Sequence, residues 1–254
     1  MVYWLKLWVI IPTYNEKENI GELLVRLTSV LEKLGISYEI LVVDDNSPDG
    51  TADIVRKHRL YNEKVKLIVR EGKKGLGSAI LDGIRYVFKK DPEATHIVTM
   101  DADLSHRPED LVALIKYADK ADVVQGSRYV EGGKTIGWGI HRHLISKTAN
   151  FLIKTLYGTS IHDNTSNYRI YNRKAAELLL RYANGKSYEW AIESLLIPVA
   201  AKLKIVEAPI TFINRSKGKS KLGVKDIVKW WIYILTFRKK FKTIAVEEGK
   251  KQSS

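Results

Sequence analysis

No cysteine occurs in the 254 residues of the chain. That absence excludes disulfides, thiolate nucleophiles and cysteine-based zinc sites, and it fits a reducing compartment. Long apolar runs are missing too. A helix that crosses a bilayer needs roughly 18 consecutive apolar residues, whereas the longest late run, Trp230 to Phe237, has eight. The opening stretch MVYWLKLWVIIPTYNE is interrupted by Lys6 and followed by no small-residue cleavage site, so it reads as a first strand and not as a signal peptide. The chain is therefore not expected to span a membrane by itself. There is also no internal repeat and no clear interdomain linker. Acid is the scarcer charge: 29 Asp and Glu face 42 Lys and Arg, a net charge of +13. Such a surplus favours nucleic acid, acidic lipid or phosphorylated small molecules without choosing among them. No nucleic-acid-binding module is recognisable, which argues against nucleic acid.

What is present is enough for a core, since hydrophobic residues make up 45% of the chain. Short apolar runs at Trp8–Ile11, Ile40–Val43, Val65–Val69, Ile97–Met100 and Asp122–Gln125 alternate with helical patterns. The first helix carries Ile20, Leu23, Leu24, Leu27, Leu31 and Leu34 on one face; others start near Thr51, after Gly75–Gly77 and near Pro108. Alternation at this spacing predicts an α/β fold with parallel strands and right-handed crossovers. Ligands of such sheets bind beyond the carboxyl ends of the strands. Thr13–Glu16, Asp44–Gly50, Arg70–Gly77 and Asp101–His106 each directly follow a strand, so all four should ring one mouth.

The second half is less regular. A helix stripe is expected at Ile145, Ala149, Leu152, Ile153 and Leu156, a strand at Tyr168–Tyr171, and a helix over Glu189–Leu203 bent at Pro198. Ile205–Ile213 should return to the sheet, and a last helix should run from about Val224 to Phe237. Its Trp230, Trp231, Tyr233, Ile234 and Phe237, flanked by lysines and Arg238, suit either an anionic membrane surface or a core helix with a solvated end.

Several segments carry chemistry. Asp101 and Asp103 place two carboxylates just past a buried strand, where they need a cation or a turn to stabilise them. A hard ion such as Mg²⁺ or Mn²⁺ takes one or two carboxylates and completes its shell with phosphate oxygens and water. Asp44 to Thr51 builds a tight turn on backbone grounds, leaving one acid free to accept from a ribose or base. Arg70 to Gly77 combines glycines and lysines before a helix, as a phosphate cradle or a solvated turn would, but lacks a Walker ending. Arg128 follows a strand at the ligand end, well placed for phosphate. Glu131–Gly139, with glycines at 132, 133, 137 and 139, suggests a mobile lid. Arg215–Gly223 is a basic, glycine-bearing loop.

In order along the chain, Pro12-Thr13-Tyr14-Asn15-Glu16, Asp44 to Thr51, Asp101-Ala102-Asp103-Leu104-Ser105-His106, Gly126-Ser127-Arg128-Tyr129 and Arg215…Ser220-Lys221-Leu222 form a set. Across residues 8–223 this set resembles the dolichyl-phosphate mannose synthases, within the inverting family 2 glycosyltransferases of GT-A fold. The resemblance implies a mostly parallel central sheet flanked by helices. It implies transfer of mannose from GDP-mannose to dolichyl or polyprenyl phosphate, giving a β-linked lipid phosphate sugar that serves as donor for protein glycosylation. The alternative on the same lipid is another donor, such as UDP-glucose or UDP-N-acetylhexosamine. Pro12, Tyr14, Glu16, Val43 and Asp45 would hold the guanosine half. Asp101 and Asp103, with the Ala102 backbone nearby, would bind the metal, Mg²⁺ or Mn²⁺, and the diphosphate; Arg128 would meet substrate phosphate at the reacting centre. Arg142 and Ser146 would bind the lipid phosphate, and Arg215 and Lys221 would close over the donor.

Two departures stand out. Ser105 occupies a position where some relatives use Gln as a metal ligand, so Ser105 would join the metal shell directly or through water. A family glycine is replaced by Asn167, which can take a left-handed backbone. The expected layout is a catalytic domain over 1–223, an amphipathic C-terminal helix over 224–246 and a disordered tail over 247–254. Placement is expected to be cytoplasmic and peripheral, on the cytoplasmic face of a membrane, with a separate small membrane subunit as a candidate partner.

Overall fold

The computed structural model describes residues 5–185, 187, 189–215 and 224–252. A seven-stranded sheet runs in the order β3-β2-β1-β4-β7-β5-β8. Its members are β1 (Lys6–Thr13), β2 (Ser37–Asp44), β3 (Val65–Val69), β4 (His96–Thr99), β5 (Val123–Ser127), β7 (Arg169–Asn172) and β8 (Ile205–Pro209). All pairings are parallel except those of β7, which runs antiparallel between β4 and β5. The parallel expectation thus holds for the sheet with one reversed strand, β7, inside it. A two-stranded parallel ribbon, β6 (Lys134–Ile136) with β9 (Thr211–Ile213), sits apart. It occupies the glycine-bearing stretch expected to be a lid; pairing with β9 makes that stretch structured.

The helices are α1 (Lys17–Leu34), α2 (Thr51–Arg56), α3 (Leu76–Lys90), α4 (Leu111–Ile115), α5 (Ile140–Tyr157), α6 (Arg173–Tyr182), α7 (Trp190–Ala200) and α8 (Val224–Gln252). Pro108 opens a 3₁₀ turn, Pro108–Asp110, before the short α4, in place of one continuous helix. The strand alternation explains the two-sided core. Leu7, Val9 and Ile11 pack with the α1 stripe Ile20, Leu23, Leu24, Leu27 and Leu31, while Trp8 and Ile10 pack with α3, α6 and α7. Strands buried on both faces read as unbroken apolar runs, which is why β1, β2 and β4 are legible in sequence.

The last helix serves as a core helix along one face. Ile234, Phe237 and Ile244 are buried against Tyr157, Trp190 and their neighbours, while Ile232 and Leu235 point outward at 55% and 57% exposure. The tail expected to be disordered from residue 247 is helical to Gln252: Tyr182 donates to Glu247 and Glu248 at 2.8 Å each, and Arg181 pairs with Glu248. Among the described residues, no helix is long and apolar enough to cross a membrane.

Candidate active site

Register brings the predicted loops together. Thr13 lies beside Asp44 across β1 and β2, and Ile10 lies beside Thr99 across β1 and β4, so these strands end at one edge. The neighbours of β1 are β2 on one side and β4 on the other. The chain changes direction there, opening the crevice in which α/β sheets bind ligands. Asn15, Asn46 and Leu104 take positive φ of 54°, 57° and 63° in the loops that leave β1, β2 and β4. Asn167 is not among the left-handed positions, so the turn there closes by other means.

The loop after β2 is held by its own acids. Asp44 is fully buried and accepts from Thr13 Oγ1 at 2.7 Å, Ser47 N at 2.8 Å and Ser47 Oγ at 2.6 Å. Asp49 accepts from Lys17 N and from the amide and hydroxyl of Thr51, joining the starts of α1 and α2. Asp45 accepts from Arg70 Nη1 at 2.6 Å, Lys74 N at 3.0 Å and Gly75 N at 2.8 Å. The amides of the 70–77 loop that could cradle phosphate are thus directed onto Asp45. Gly77, at the start of α3, needs to be glycine, because a Cβ there would lie 2.0 Å from the Gly185 carbonyl oxygen. Tyr14 sits under the Lys73 ammonium at 4.4 Å, Glu16 accepts from Asn19 at 2.8 Å, and Pro12 is half-buried. Val43 is the exception among the predicted nucleotide residues. Its side chain is fully buried in the core with α3, so only its backbone is open to a ligand there.

Asp101 and Asp103 follow the end of β4, with Ala102 buried between them, close enough for the charge of one to act on the other. Burial, and next the negative charge of Asp103, push the Asp101 carboxyl up to about 7. Among the described residues no group donates a hydrogen bond to it; His106 Nδ1 lies 3.7 Å away and accepts from the Asp101 amide at 3.1 Å. Burial lowers His106 to about 4, so the ring is neutral. Asp103 is better satisfied. Burial opposes its charge, but Ser105 and Arg215 outweigh that and hold its carboxyl below the usual range. Ser105 donates both its amide and its hydroxyl to Asp103 Oδ1, and Arg215 Nη2 donates to Oδ2 at 2.5 Å.

These residues fit a divalent cation. Asp101 offers hard oxygen donors with a charge that its neighbour repels, which is what a cation relieves. Among the described residues no cluster of three or more acids or histidines could enclose an ion alone. Asp101 and Asp103 would therefore hold it together with oxygens of a ligand and water. The Ser105 hydroxyl is turned onto Asp103, so its evident work is to orient that carboxylate.

A cavity of about 720 Å³ leads from Asp103, Ser105 and Arg215 past Arg128, Arg142 and Ser146 to Trp230 and Trp231 of α8. Arg128 is clamped by the fully buried Asp163: Nε and Nη2 each donate at 2.7 Å and the Arg128 amide donates at 2.9 Å. Its Nη2 also reaches Thr165 at 2.5 Å. Burial works against both charges, yet the pairing raises Arg128 and lowers Asp163 relative to their usual values. Arg142 Nη1 donates to Asn214 at 2.8 Å, and burial followed by the Arg128 charge lowers its pKa. Ser146 accepts from the Tyr129 hydroxyl at 2.7 Å. Lys221, with residues 216–223, lies outside the described residues.

The structure therefore joins Asp101, Asp103, Ser105, Arg128, Arg142, Ser146 and Arg215 in one cleft, with Tyr14, Glu16 and Asp45 on the neighbouring loops. Sequence reasoning missed Asp163, Trp138, Phe212 and Glu193. Nothing local marks Asp163 as the partner of an arginine 35 positions earlier. Glu193, fully buried in α7, accepts from Tyr233 at 2.6 Å and Lys240 at 2.7 Å and so ties α8 to the body. A carboxylate inside an otherwise apolar helix was the available signal.

Residues 8–180 match the family described as Glycosyl transferase family 2. The polyprenol monophosphomannose synthase of Mycolicibacterium smegmatis is 39% identical over 222 residues, covering 86% of this chain and 82% of the relative. The undecaprenyl-phosphate mannosyltransferase of Micrococcus luteus is 33% identical over 234 residues, covering 89% and 94%. In structure, glucosyl-3-phosphoglycerate synthase from Mycobacterium tuberculosis, in complex with Mn²⁺, uridine diphosphate and glucosyl-3-phosphoglycerate, superposes with a TM-score of 0.66. At 16% identity, over 92% of this chain and 80% of the other, that likeness establishes the fold.

Proposed function

This chain belongs to glycosyl transferase family 2 and has the GT-A fold, and from that premise we propose that it transfers mannose from GDP-mannose to dolichyl or another polyprenyl phosphate, with inversion. The observation that carries this reading is the continuous cavity with an acidic group, Asp103, at one end, the basic groups Arg128 and Arg142 with Ser146 beyond it, and Trp230 and Trp231 in its wall. A nucleotide diphosphate suits the first, a phosphate monoester the second, and a hydrocarbon chain the tryptophans. The mannose assignment draws support from the names of the two relatives above.

In this reading Pro12, Tyr14, Glu16 and Asp45 bind the guanosine half, Asp45 through the loop it braces. Asp101 and Asp103 hold Mg²⁺ or Mn²⁺, which supplies Lewis-acid stabilisation of the departing diphosphate. Arg215 and Lys221 add positive charge on the donor side. Arg128, Arg142 and Ser146 hold the acceptor phosphate in line with the anomeric carbon. A phosphate oxygen forms the new bond to C1 as the bond from C1 to the GDP oxygen breaks, and that electron pair leaves with GDP. The second pKa of a phosphate monoester is about 6, so the nucleophile is already ionised at neutral pH. No general base is required, and His106, the histidine beside the acidic pair, is buried, neutral and turned to the Asp101 amide. The work is electrostatic, holding two anions together and stabilising the charge that leaves.

Peripheral membrane placement, on the cytoplasmic face, completes the proposal. Ile145 both lines the cavity and is 48% exposed, and Ile140, Leu144 and Phe151 extend an exposed apolar face along the same helix. Residues 1–223 would form the catalytic unit and α8 one wall of the lipid site, with a separate membrane subunit as a further partner.

Purified protein with GDP-mannose, Mn²⁺ and a polyprenyl phosphate is expected to form lipid-linked mannose, with UDP-glucose and UDP-N-acetylhexosamines as competing donors in the same panel. Asp103→Ala is expected to reduce turnover about 10²–10³-fold. Full activity of that variant with a chelator present would overturn the metal role; preference for a uridine nucleotide would overturn the donor.

A further inference from the structure

Trp138 occupies a position that no motif explains. It lies two residues beyond β6, after Gly137, whose φ of 76° turns the chain toward the cleft. The Asn214 amide closes that turn onto the Ile136 carbonyl at 2.8 Å, which sets Trp138 next to Phe212 of β9. The two rings meet edge to face with centroids 5.4 Å apart. Both cleft arginines rest on this pair. Arg142 Cζ is 4.3 Å from the Trp138 centroid and 5.3 Å from Phe212; Arg128 Cζ is 4.9 Å and 5.4 Å from the same rings.

The charges of the two arginines are treated differently. Arg128 is neutralised by Asp163. Arg142, among the described residues, is in no ion pair and donates to the neutral Asn214. Arg142 thus brings a guanidinium that no described carboxylate meets, kept close to a like charge by aromatic faces. A buried indole N–H adds to this: Trp138 Nε1 is shielded from solvent and has no hydrogen-bond partner. Leaving such a donor unmet costs more than a made bond returns, so a structure keeps one where a ligand completes it. Trp190 Nε1 is also unpartnered, but it lies deep in the core, whereas Trp138 lines the cavity. Among the described cavity-lining residues, Trp138 is the one that contributes an unpartnered donor; the other orphan, Asn167 Oδ1, is an acceptor.

We infer that Trp138 is an acceptor-binding residue: its ring holds the guanidinium groups of Arg128 and Arg142 at the phosphate site, and its indole N–H donates to an oxygen of the acceptor's phosphate monoester. The inference rests on the acceptor reading above and adds a residue to it. A phosphate dianion brings the missing negative charge and a strong acceptor at once. Trp138→Phe keeps an aromatic face and removes the donor; Trp138→Leu removes both.

The test is calorimetric titration of wild-type protein and both variants with farnesyl phosphate, a soluble short-chain phosphate monoester, and separately with GDP-mannose plus Mn²⁺. Trp138→Phe is expected to weaken farnesyl phosphate binding about ten-fold, and Trp138→Leu to weaken it further, with donor affinity unchanged in both. The indole ¹H–¹⁵N resonance that disappears in Trp138→Phe is expected to move downfield in the wild type on adding farnesyl phosphate and to stay in place on adding farnesol. Wild-type affinity in Trp138→Phe, or an indole resonance indifferent to the phosphate, overturns the role of Trp138 while leaving the acceptor site intact. Absence of any farnesyl phosphate binding to the wild type overturns the acceptor reading, and this inference falls with it.

Discussion

The two ends of the cleft are built on opposite plans. In the loop after β2, proposed for the nucleotide, Asp44 and Asp49 settle their charges within a short reach, on Ser47 and Thr51, while Asp45 is met by the neighbouring 70–75 turn. Around the acidic pair and the cleft arginines, the groups arrive from remote positions and their charges are settled only when those positions meet. Arg128 depends on Asp163, Arg142 on Asn214, and Asp103 on Arg215, which stands 112 positions away. Local closure makes the first end a preformed cradle. Distant closure leaves the second with a guanidinium that no described carboxylate meets and an Asp101 carboxyl that no described group donates to, both conditions that ligands relieve. A preorganised field of that kind needs no rearrangement when the substrates react.

The sharpest way to break this comparison is to remove the remote partner of Arg128. Asp163→Ala strands a buried cation, for which the expected cost is about 3–5 kcal/mol, read by denaturant unfolding together with a collapse of turnover. A loss confined to activity would mean that Asp163 only positions Arg128 and does not stabilise the fold. A smaller effect concerns the acidic pair. With the Asp101 carboxyl at about 7 in the absence of metal, protons compete with the cation below that pH. Mn²⁺ affinity is expected to fall about ten-fold per pH unit on the acid side and to level off on the alkaline side, measured by titration calorimetry. The sign for stability follows from the same shift. The folded pKa is raised above the unfolded value of 3.8, so this carboxyl favours the metal-free fold at low pH, and that contribution is lost as pH rises toward 7. Asp101→Asn is expected to abolish this dependence. The smallest effect tests the outer surface. Phe151 is 71% exposed on α5 and takes no part in the cleft. Phe151→Glu is expected to weaken binding to anionic vesicles about ten-fold and to leave turnover of farnesyl phosphate unchanged.

Most of the nucleotide side and the parallel half of the sheet were legible in the sequence because their information is local. A strand buried on both faces shows as an apolar run, and the loop that follows it shows as Asn, Asp, Pro and Gly. Less legible was the reversal of β7, since Arg169–Asn172 reads as a strand in either direction and only its seat between β4 and β5 fixes the sense. The ribbon of β6 and β9 was hidden for a similar reason: Lys134–Ile136 is three residues long and pairs with a segment far along the chain. The far end of α8 was read as tail from its charged, terminal composition, yet Glu247 and Glu248 find Tyr182 and Arg181 on α6.

By itself, the sequence determined the α/β alternation, the family, and the identity of the acidic pair and the basic residues that face it. Those depend on residue type, spacing and order along the chain. Only the tertiary structure decided which of these charges are paired. It put Asp45 on the 70–75 turn, Ser105 on Asp103 and Asp163 on Arg128, and it left Arg142 beside Trp138 with no described carboxylate to meet it. Pairing is a matter of distance and burial, and both are set by contacts between residues that the chain keeps far apart.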